Sequence, residues 1–111
     1  MGRVDGKVAI VTGGATGLGF ASAMRLADEG ARVTITDIDE ERGPGAADRI
    51  GRGCRFLAQD VAEEDGWRRV VDRVLEEDGR LDVLVNNAGV GIPRNVEETT
   101  LEDWRWLMSV N

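Results

Sequence analysis

Histidine and tyrosine are absent from the 111-residue sequence, cysteine occurs once, at Cys54, and lysine once, at Lys7. One thiol cannot form an internal disulfide, and a zinc site of the usual kind needs several Cys or His ligands. The sequence therefore predicts neither a disulfide framework nor a metal site. This cysteine usage is typical of a reducing compartment, and we expect the protein to be cytoplasmic.

Positive charge and long hydrophobic runs are also scarce. The formal net charge of −7 argues against nucleic acid and against an anionic membrane surface as partners. The N-terminal residues include no apolar stretch of signal-peptide length, and the apolar run Val8–Val11 is far too short to span a bilayer. We therefore expect no membrane association, and the length fits one domain covering residues 1–111.

What the sequence does contain is a regular alternation of strand and helix patterns. The predicted elements are strand Val8–Val11, helix Leu18–Glu29, strand Ala31–Asp37, helix Glu40–Ile50, strand Cys54–Ala58, helix Glu63–Asp78, strand Leu81–Val85 and a helix that starts near Thr100. The third helix has an apolar stripe at Trp67, Val70, Val71, Val74 and Leu75. This order indicates a Rossmann-like, doubly wound α/β fold with a parallel sheet.

A glycine-rich segment follows the first strand, with glycines at positions 13, 17 and 19. A tight turn from strand to helix needs residues without a Cβ, and a bound pyrophosphate needs a close backbone approach. The N-terminus of the following helix offers free N–H groups to phosphates. The pattern therefore predicts a dinucleotide-binding turn, with a purely structural turn as the alternative.

An acidic residue, Asp37, ends the second predicted strand. A carboxylate at this position can accept hydrogen bonds from the adenosine ribose hydroxyls and would repel a 2′-phosphate. Ala15, Thr16 and Ile38 supply no neighbouring cation to neutralise such a phosphate. The residues therefore favour NAD over NADP, although a solvated loop acid would have the same appearance.

Together these features resemble the short-chain dehydrogenase/reductase family, and the likeness extends over the whole chain. The segments that carry it are Thr12–Gly19, Asp37, Asp60–Val61, Asn86–Gly89 and Asn111. Among family members, the sequence is most similar to bacterial enzymes of the 3α(20β)-hydroxysteroid and cyclopentanol dehydrogenase kind. The resemblance implies the first four strands of the family's sheet, in the order 3-2-1-4.

The resemblance also implies a role for each matching residue. Gly13, Thr16, Gly17, Leu18 and Gly19 would line the pyrophosphate, and Asp37 would bind the adenosine ribose. Asp60 and Val61 would meet the adenine, while Asn87, Ala88 and Gly89 would support the fourth strand and touch the cofactor ribose. Asn111 would be the active-site asparagine. Turn chemistry is the alternative interpretation of Asn86 and Asn87.

One departure from the family limits what this chain can do alone. Catalysis in the family uses a Tyr-x-x-x-Lys pair and a serine beyond the asparagine, whereas this sequence has no tyrosine and its single Lys7 begins the first strand. The implied function is an NAD(H)-dependent oxidoreductase for a secondary alcohol or ketone, represented here by its truncated, cofactor-binding N-terminal half. The alternatives are an inactive NAD(H)-binding module or a remnant. A homo-oligomer is the family expectation for the full-length enzyme.

The predicted fourth strand, Leu81–Val85, would form an open and largely apolar edge of the sheet. Such an edge is a template for pairing with another chain. We therefore expect the 111-residue chain to be marginally stable and to associate or aggregate as its concentration rises. Light scattering and thermal melts over a concentration series measure this. A clean monomer with a sharp, concentration-independent melt would contradict the expectation.

Overall fold

A computed structural model of the chain describes residues 4–87, and the predicted helix near Thr100 lies outside them. The elements in chain order are β1 (Val8–Thr12), α1 (Gly17–Asp28), β2 (Arg32–Asp37), α2 (Gly43–Ile50), β3 (Arg55–Ala58), α3 (Glu64–Asp78) and β4 (Val83–Asn86). The strands form one parallel sheet in the order β3-β2-β1-β4. The α/β class and the strand order 3-2-1-4 are confirmed.

Strand β1 lies between β2 and β4, and all five of its residues are buried. Its side chains alternate between the two faces of the sheet, as strand geometry requires. Ala9 and Val11 pack on the side of α1 and α2, whereas Val8 and Ile10 pack on the side of α3. Helices therefore cover both faces of the sheet, which explains the continuous apolar run in β1.

Helix α1 ends in a glycine-dependent cap, as its sequence predicts. Gly30 has φ +96°, its N–H donates to the carbonyl of Ala27, and the N–H of Ala31 donates to the carbonyl of Leu26. This pair of bonds is a Schellman motif, which needs a left-handed residue at the position after the cap. It turns the chain directly into β2.

Helix α2 begins at Gly43, three residues later than the predicted start at Glu40. The carboxylate of Asp39 accepts the N–H groups of Glu41 and Arg42, so this segment forms a capped turn. The regular ladder cannot start there because Pro44 has no N–H to donate to the carbonyl of Glu40.

Gly43 also permits the close approach of α2 to β3. A Cβ at Gly43 would lie 2.1 Å from the ring of Phe56, well inside van der Waals contact. Gly43 is thus the point where α2 packs against the sheet.

Helix α3 covers the other face of the sheet with Trp67, Val70, Val71 and Val74, all of them buried. The predicted stripe was wrong at Leu75, which is 44% exposed. With about 100° per residue, Leu75 is rotated roughly 80° from Trp67, and so it lies at the margin of the buried face.

The amino ends of the strands are joined by charged side chains. Asp78, at the end of α3, pairs with Arg32 and Arg55 from β2 and β3. Asp82 accepts the N–H of Val8 at 2.9 Å and is paired with Arg80. Burial raises the pKa of Asp82, but the bonds from Arg80 and Val8 outweigh burial, so its pKa lies below the ordinary value. These contacts fix α3 and β4 to the sheet.

A pair of glycine substitutions in α2 tests the packing at Gly43. Gly43→Ala would place a methyl group in steric overlap with the Phe56 ring. We expect the free energy of unfolding to fall by about 1–3 kcal/mol. Gly45→Ala is the matched control, because a Cβ there has nothing within 4 Å and alanine favours a helix. Urea denaturation measures both variants. Equal stability of the two would show that α2 does not rest on Phe56.

Candidate functional site

The carboxyl ends of the four parallel strands bring the predicted residues to one edge of the sheet. Asp37 is the last residue of β2, and Asn87 follows β4 directly. Asp60 is the second residue after β3, and the glycine segment leaves β1 at Gly13. In open α/β sheets, ligands bind at this edge.

The glycine segment is a compact turn held by its own backbone. Gly13 and Gly17 have φ of +62° and +60°, which L-residues with a Cβ rarely adopt. The N–H of Gly14 donates to the carbonyl of Thr36, linking the turn to β2. A Cβ at Gly14 would lie 2.6 Å from Ile35, so the sequence reasoning missed a required glycine; the adjacent Gly13-Gly14 pair was the available signal.

Gly19 is the tightest point of the turn. A Cβ there would lie 2.0 Å from the carbonyl oxygen of Gly13 and 2.9 Å from Nδ2 of Asn87. The structure therefore brings Gly13, Gly19 and Asn87 together, although 68 positions separate Gly19 from Asn87 in the sequence.

The first turn of α1 is open at the same edge. Thr16, Gly17 and Leu18 are exposed, Leu18 by 78%, and the side chain of Thr16 makes no cap hydrogen bond. Within residues 4–87, no acceptor meets the N–H groups of Gly17, Leu18 and Gly19. These N–H groups can donate hydrogen bonds to an anion, which the positive end of the helix dipole would also attract.

Asp37 is half-buried and held from both sides. One carboxylate oxygen accepts the N–H of Ala15 at 3.2 Å, and the other accepts the N–H of Asp39 at 3.1 Å. The bond from Ala15 was not foreseen from the sequence, because it depends on the packing of the glycine turn against β2. It places a fixed negative charge beside the turn.

Asp60 and Val61 form the loop after β3. Asp60 is exposed, and its carboxylate accepts the N–H of Ala62 at 2.9 Å. Val61 turns its side chain into the core beneath α3, so only its backbone is available at the edge. The carbonyl of Val61 accepts the indole N–H of Trp67 at 2.7 Å.

Two buried polar residues, Thr12 and Asn86, lie at the carboxyl ends of β1 and β4. The hydroxyl of Thr12 donates to the side-chain oxygen of Asn86 at 2.9 Å, joining the ends of β1 and β4. In the part of the chain that the structure describes, the buried side-chain atoms without a hydrogen-bond partner are Thr36 Oγ1 and both amide atoms of Gln59. These atoms also lie near the carboxyl ends, of β2 and β3.

Other candidate features lie away from this edge. Cys54 precedes β3 at the opposite end of the strand, and burial raises the pKa of its thiol to about 11, so the thiol stays protonated at neutral pH. A groove of about 650 Å³ runs between β3 and α3, but none of the predicted site residues lines it. Ala88, Gly89 and Asn111 lie outside the described residues.

Among residues 4–87, no group of three or more His, Cys, Asp or Glu side chains could hold a metal ion. No helix in this range is long and apolar enough to cross a membrane.

Comparison with known proteins assigns the chain to a family. The family described as short chain dehydrogenase matches residues 7–111, and the chain therefore belongs to that family. The predicted resemblance to this family is confirmed.

Individual relatives agree with this assignment. An NADP-dependent (R)-specific alcohol dehydrogenase from Lentilactobacillus kefiri is 45% identical over 98% of this chain and 44% of its own length. A cyclopentanol dehydrogenase from a Comamonas strain is 44% identical over 100% of this chain and 46% of its own length. A 3-beta-hydroxysteroid dehydrogenase from Comamonas testosteroni is 42% identical over 98% of this chain and 43% of its own length.

A solved structure shows the same fold. A short chain dehydrogenase from Mycobacterium smegmatis superposes with a TM-score of 0.74 at 37% identity, covering 96% of this chain and 46% of the other. The chain thus spans less than half the length of the curated relatives it matches.

Replacing Gly19 tests the packing of the turn. Gly19→Ala would push the carbonyl of Gly13 and the side chain of Asn87 away, and we expect about 1–3 kcal/mol of destabilisation, together with shifted NMR signals of the Asn87 side-chain amide. Gly17→Ala is the comparison, because it meets no neighbour and has only the left-handed backbone penalty of about 1–2 kcal/mol. If the Asn87 signals move equally in both variants, the contact is not as described.

Proposed function

We propose that the chain binds a nicotinamide dinucleotide along the carboxyl edge of its sheet, with the pyrophosphate over the glycine turn. The observation that carries this proposal is the open first turn of α1. Its free N–H groups at Gly17, Leu18 and Gly19 point to an anionic ligand, and a Cβ at Gly17 would enter open space. Gly13 and Thr16 complete the proposed pyrophosphate site, and they leave the backbone uncovered for a close approach.

The adenosine half of the cofactor is proposed to lie toward β2 and β3. Asp37 would accept the ribose hydroxyls, and Asp60 with the backbone of Val61 would meet the adenine. Asn87, Ala88 and Gly89 would contact the ribose from the end of β4. The contact of Asn87 with Gly19 supports a continuous site across the edge.

The proposed cofactor is NAD rather than NADP. The fixed carboxylate of Asp37 would repel a 2′-phosphate, and the backbone bonds from Ala15 and Asp39 keep that charge in place. The nearby Arg42 is paired with Asp39, at 3.6 Å, so this guanidinium is engaged elsewhere. The relative from Lentilactobacillus kefiri is described as NADP-dependent, which makes the residues around Asp37 the point to test.

For the whole protein, we propose oxidation of a secondary alcohol or reduction of a ketone, with Asn111 as the active-site asparagine. When bound, NAD(H) accepts or supplies the hydride. The described residues would hold the cofactor, while the alcohol substrate is suggested by relatives named as dehydrogenases of cyclopentanol, hydroxysteroids and other alcohols. We propose a cytoplasmic location, in keeping with the single thiol.

A second candidate is an NAD(H)-binding module without turnover, or an inactive remnant, comprising residues 1–111 as one Rossmann half-domain. The absence of tyrosine from the sequence favours it for this chain alone, because hydride transfer at a carbonyl needs a proton partner with a suitable pKa. Under this proposal, NADH binds but no alcohol is oxidised. Association through the open edge of β4 belongs to the same proposal.

Cofactor preference is tested at Asp37. We expect the chain to bind NADH about tenfold or more tightly than NADPH, since a charge-assisted hydrogen bond contributes about 1.5–3 kcal/mol. Asp37→Asn should weaken NADH binding and reduce the preference. NADH and NADPH fluorescence titrations give both affinities.

Asp28→Asn is the control for that experiment, because it removes one carboxylate at the opposite end of α1, where Asp28 is paired with Arg52. It should leave the NADH to NADPH ratio within about twofold of wild type. Tighter binding of NADPH than of NADH by the wild-type chain would refute the NAD assignment while leaving dinucleotide binding intact.

A further inference from the structure

The loop that follows β3 is short and highly constrained. The carboxylate of Asp60 accepts the N–H of Ala62 at 2.9 Å, and its carbonyl accepts the N–H of Glu63 at 3.0 Å. These two bonds close the loop immediately before α3. The bond from Ala62 also orients the N–H side of the peptide unit between Val61 and Ala62.

The carbonyl side of that peptide unit is held by Trp67 of α3. Trp67 is buried, with 6% of its surface exposed, and its indole Nε1–H donates to the carbonyl of Val61 at 2.7 Å inside the core. The distance is at the short end of the range for an N–H donor. Because the bond is buried, water cannot replace it when it is lost.

Val61 is therefore held at two points: its side chain is packed in the core and its carbonyl is bonded to the indole. Its N–H has no acceptor among residues 4–87. This N–H is the polar group that Val61 can offer to a ligand at the edge, and an aromatic ring nitrogen is a suitable acceptor.

We propose that Trp67 is a positioning residue for the adenine part of the cofactor, acting through the backbone of Val61. The inference rests on the proposed function, since it assumes that Asp60 and Val61 meet the adenine. The proposed role distinguishes Trp67 from the other buried residues of α3, which have no polar side-chain atom and hold the helix by packing alone.

Trp67→Phe tests the proposal, because phenylalanine keeps an aromatic ring in the core but has no N–H. We expect the affinity for 5′-AMP to fall by about fivefold or more, while the affinity for inorganic pyrophosphate, which has no adenine, stays within about twofold of wild type. Titrations of the 111-residue chain, followed by ¹⁵N–¹H NMR, measure both.

Val71→Ala is the matched control. It removes apolar contacts on the same face of α3 but leaves the indole hydrogen bond. The affinity for 5′-AMP should therefore equal that of wild type, even if Val71→Ala lowers the Tm as much as Trp67→Phe does. If Val71→Ala weakens 5′-AMP binding as much as Trp67→Phe does, helix packing alone explains the effect and the proposal fails.

A second measurement covers the case in which Trp67→Phe does not fold. In the wild-type chain, 5′-AMP should slow hydrogen exchange of the Trp67 indole N–H by about threefold or more, and pyrophosphate should not. If bound 5′-AMP leaves the exchange rate of the indole N–H unchanged, the proposed role of Trp67 is overturned but the proposed function is not. A wild-type chain that binds neither 5′-AMP nor NADH overturns the proposed function as well.

Discussion

The burial of β1 on both faces is the constraint on which the rest of the structure depends. A strand without a solvent face must have its backbone paired on both sides and helices above and below. Here β2 and β4 supply the pairing, and α1, α2 and α3 supply the cover. Because all the pairs are parallel, the carboxyl ends of the strands meet at one edge. The glycine turn, Asp37 and Asn87 are neighbours for that reason.

The edge that results is a site built mostly from backbone. The first turn of α1 offers N–H groups, and side chains act largely by holding that backbone in place. Asp37 receives the N–H of Ala15, Thr12 is bonded to Asn86, and the indole of Trp67 is bonded to the carbonyl of Val61. A backbone site would suit the proposed dinucleotide, since backbone N–H groups can bind phosphates whatever the neighbouring side chains are.

Local patterns predicted most of the fold and the position of the site. The alternation of elements follows from periodicity, while the strand order was implied by the resemblance to the family. The start of α2 was misplaced because Pro44 interrupts the hydrogen-bond ladder, and Leu75 was misassigned because a stripe of residues does not show where the buried face ends. The need for a glycine at position 43 could not be predicted locally, since the ring of Phe56 that requires it comes from a strand further along the chain.

The sequence by itself determined the class of fold, the family and the residues at the carboxyl edge, because each depends on spacing along the chain. Only the tertiary structure decided what those residues contact. The closeness of Gly19 to Asn87, the bond from Ala15 to Asp37 and the anchoring of Val61 by Trp67 join different elements of the fold. Such contacts depend on how helices pack on the sheet to within a fraction of an ångström, and no local pattern of residues contains that distance.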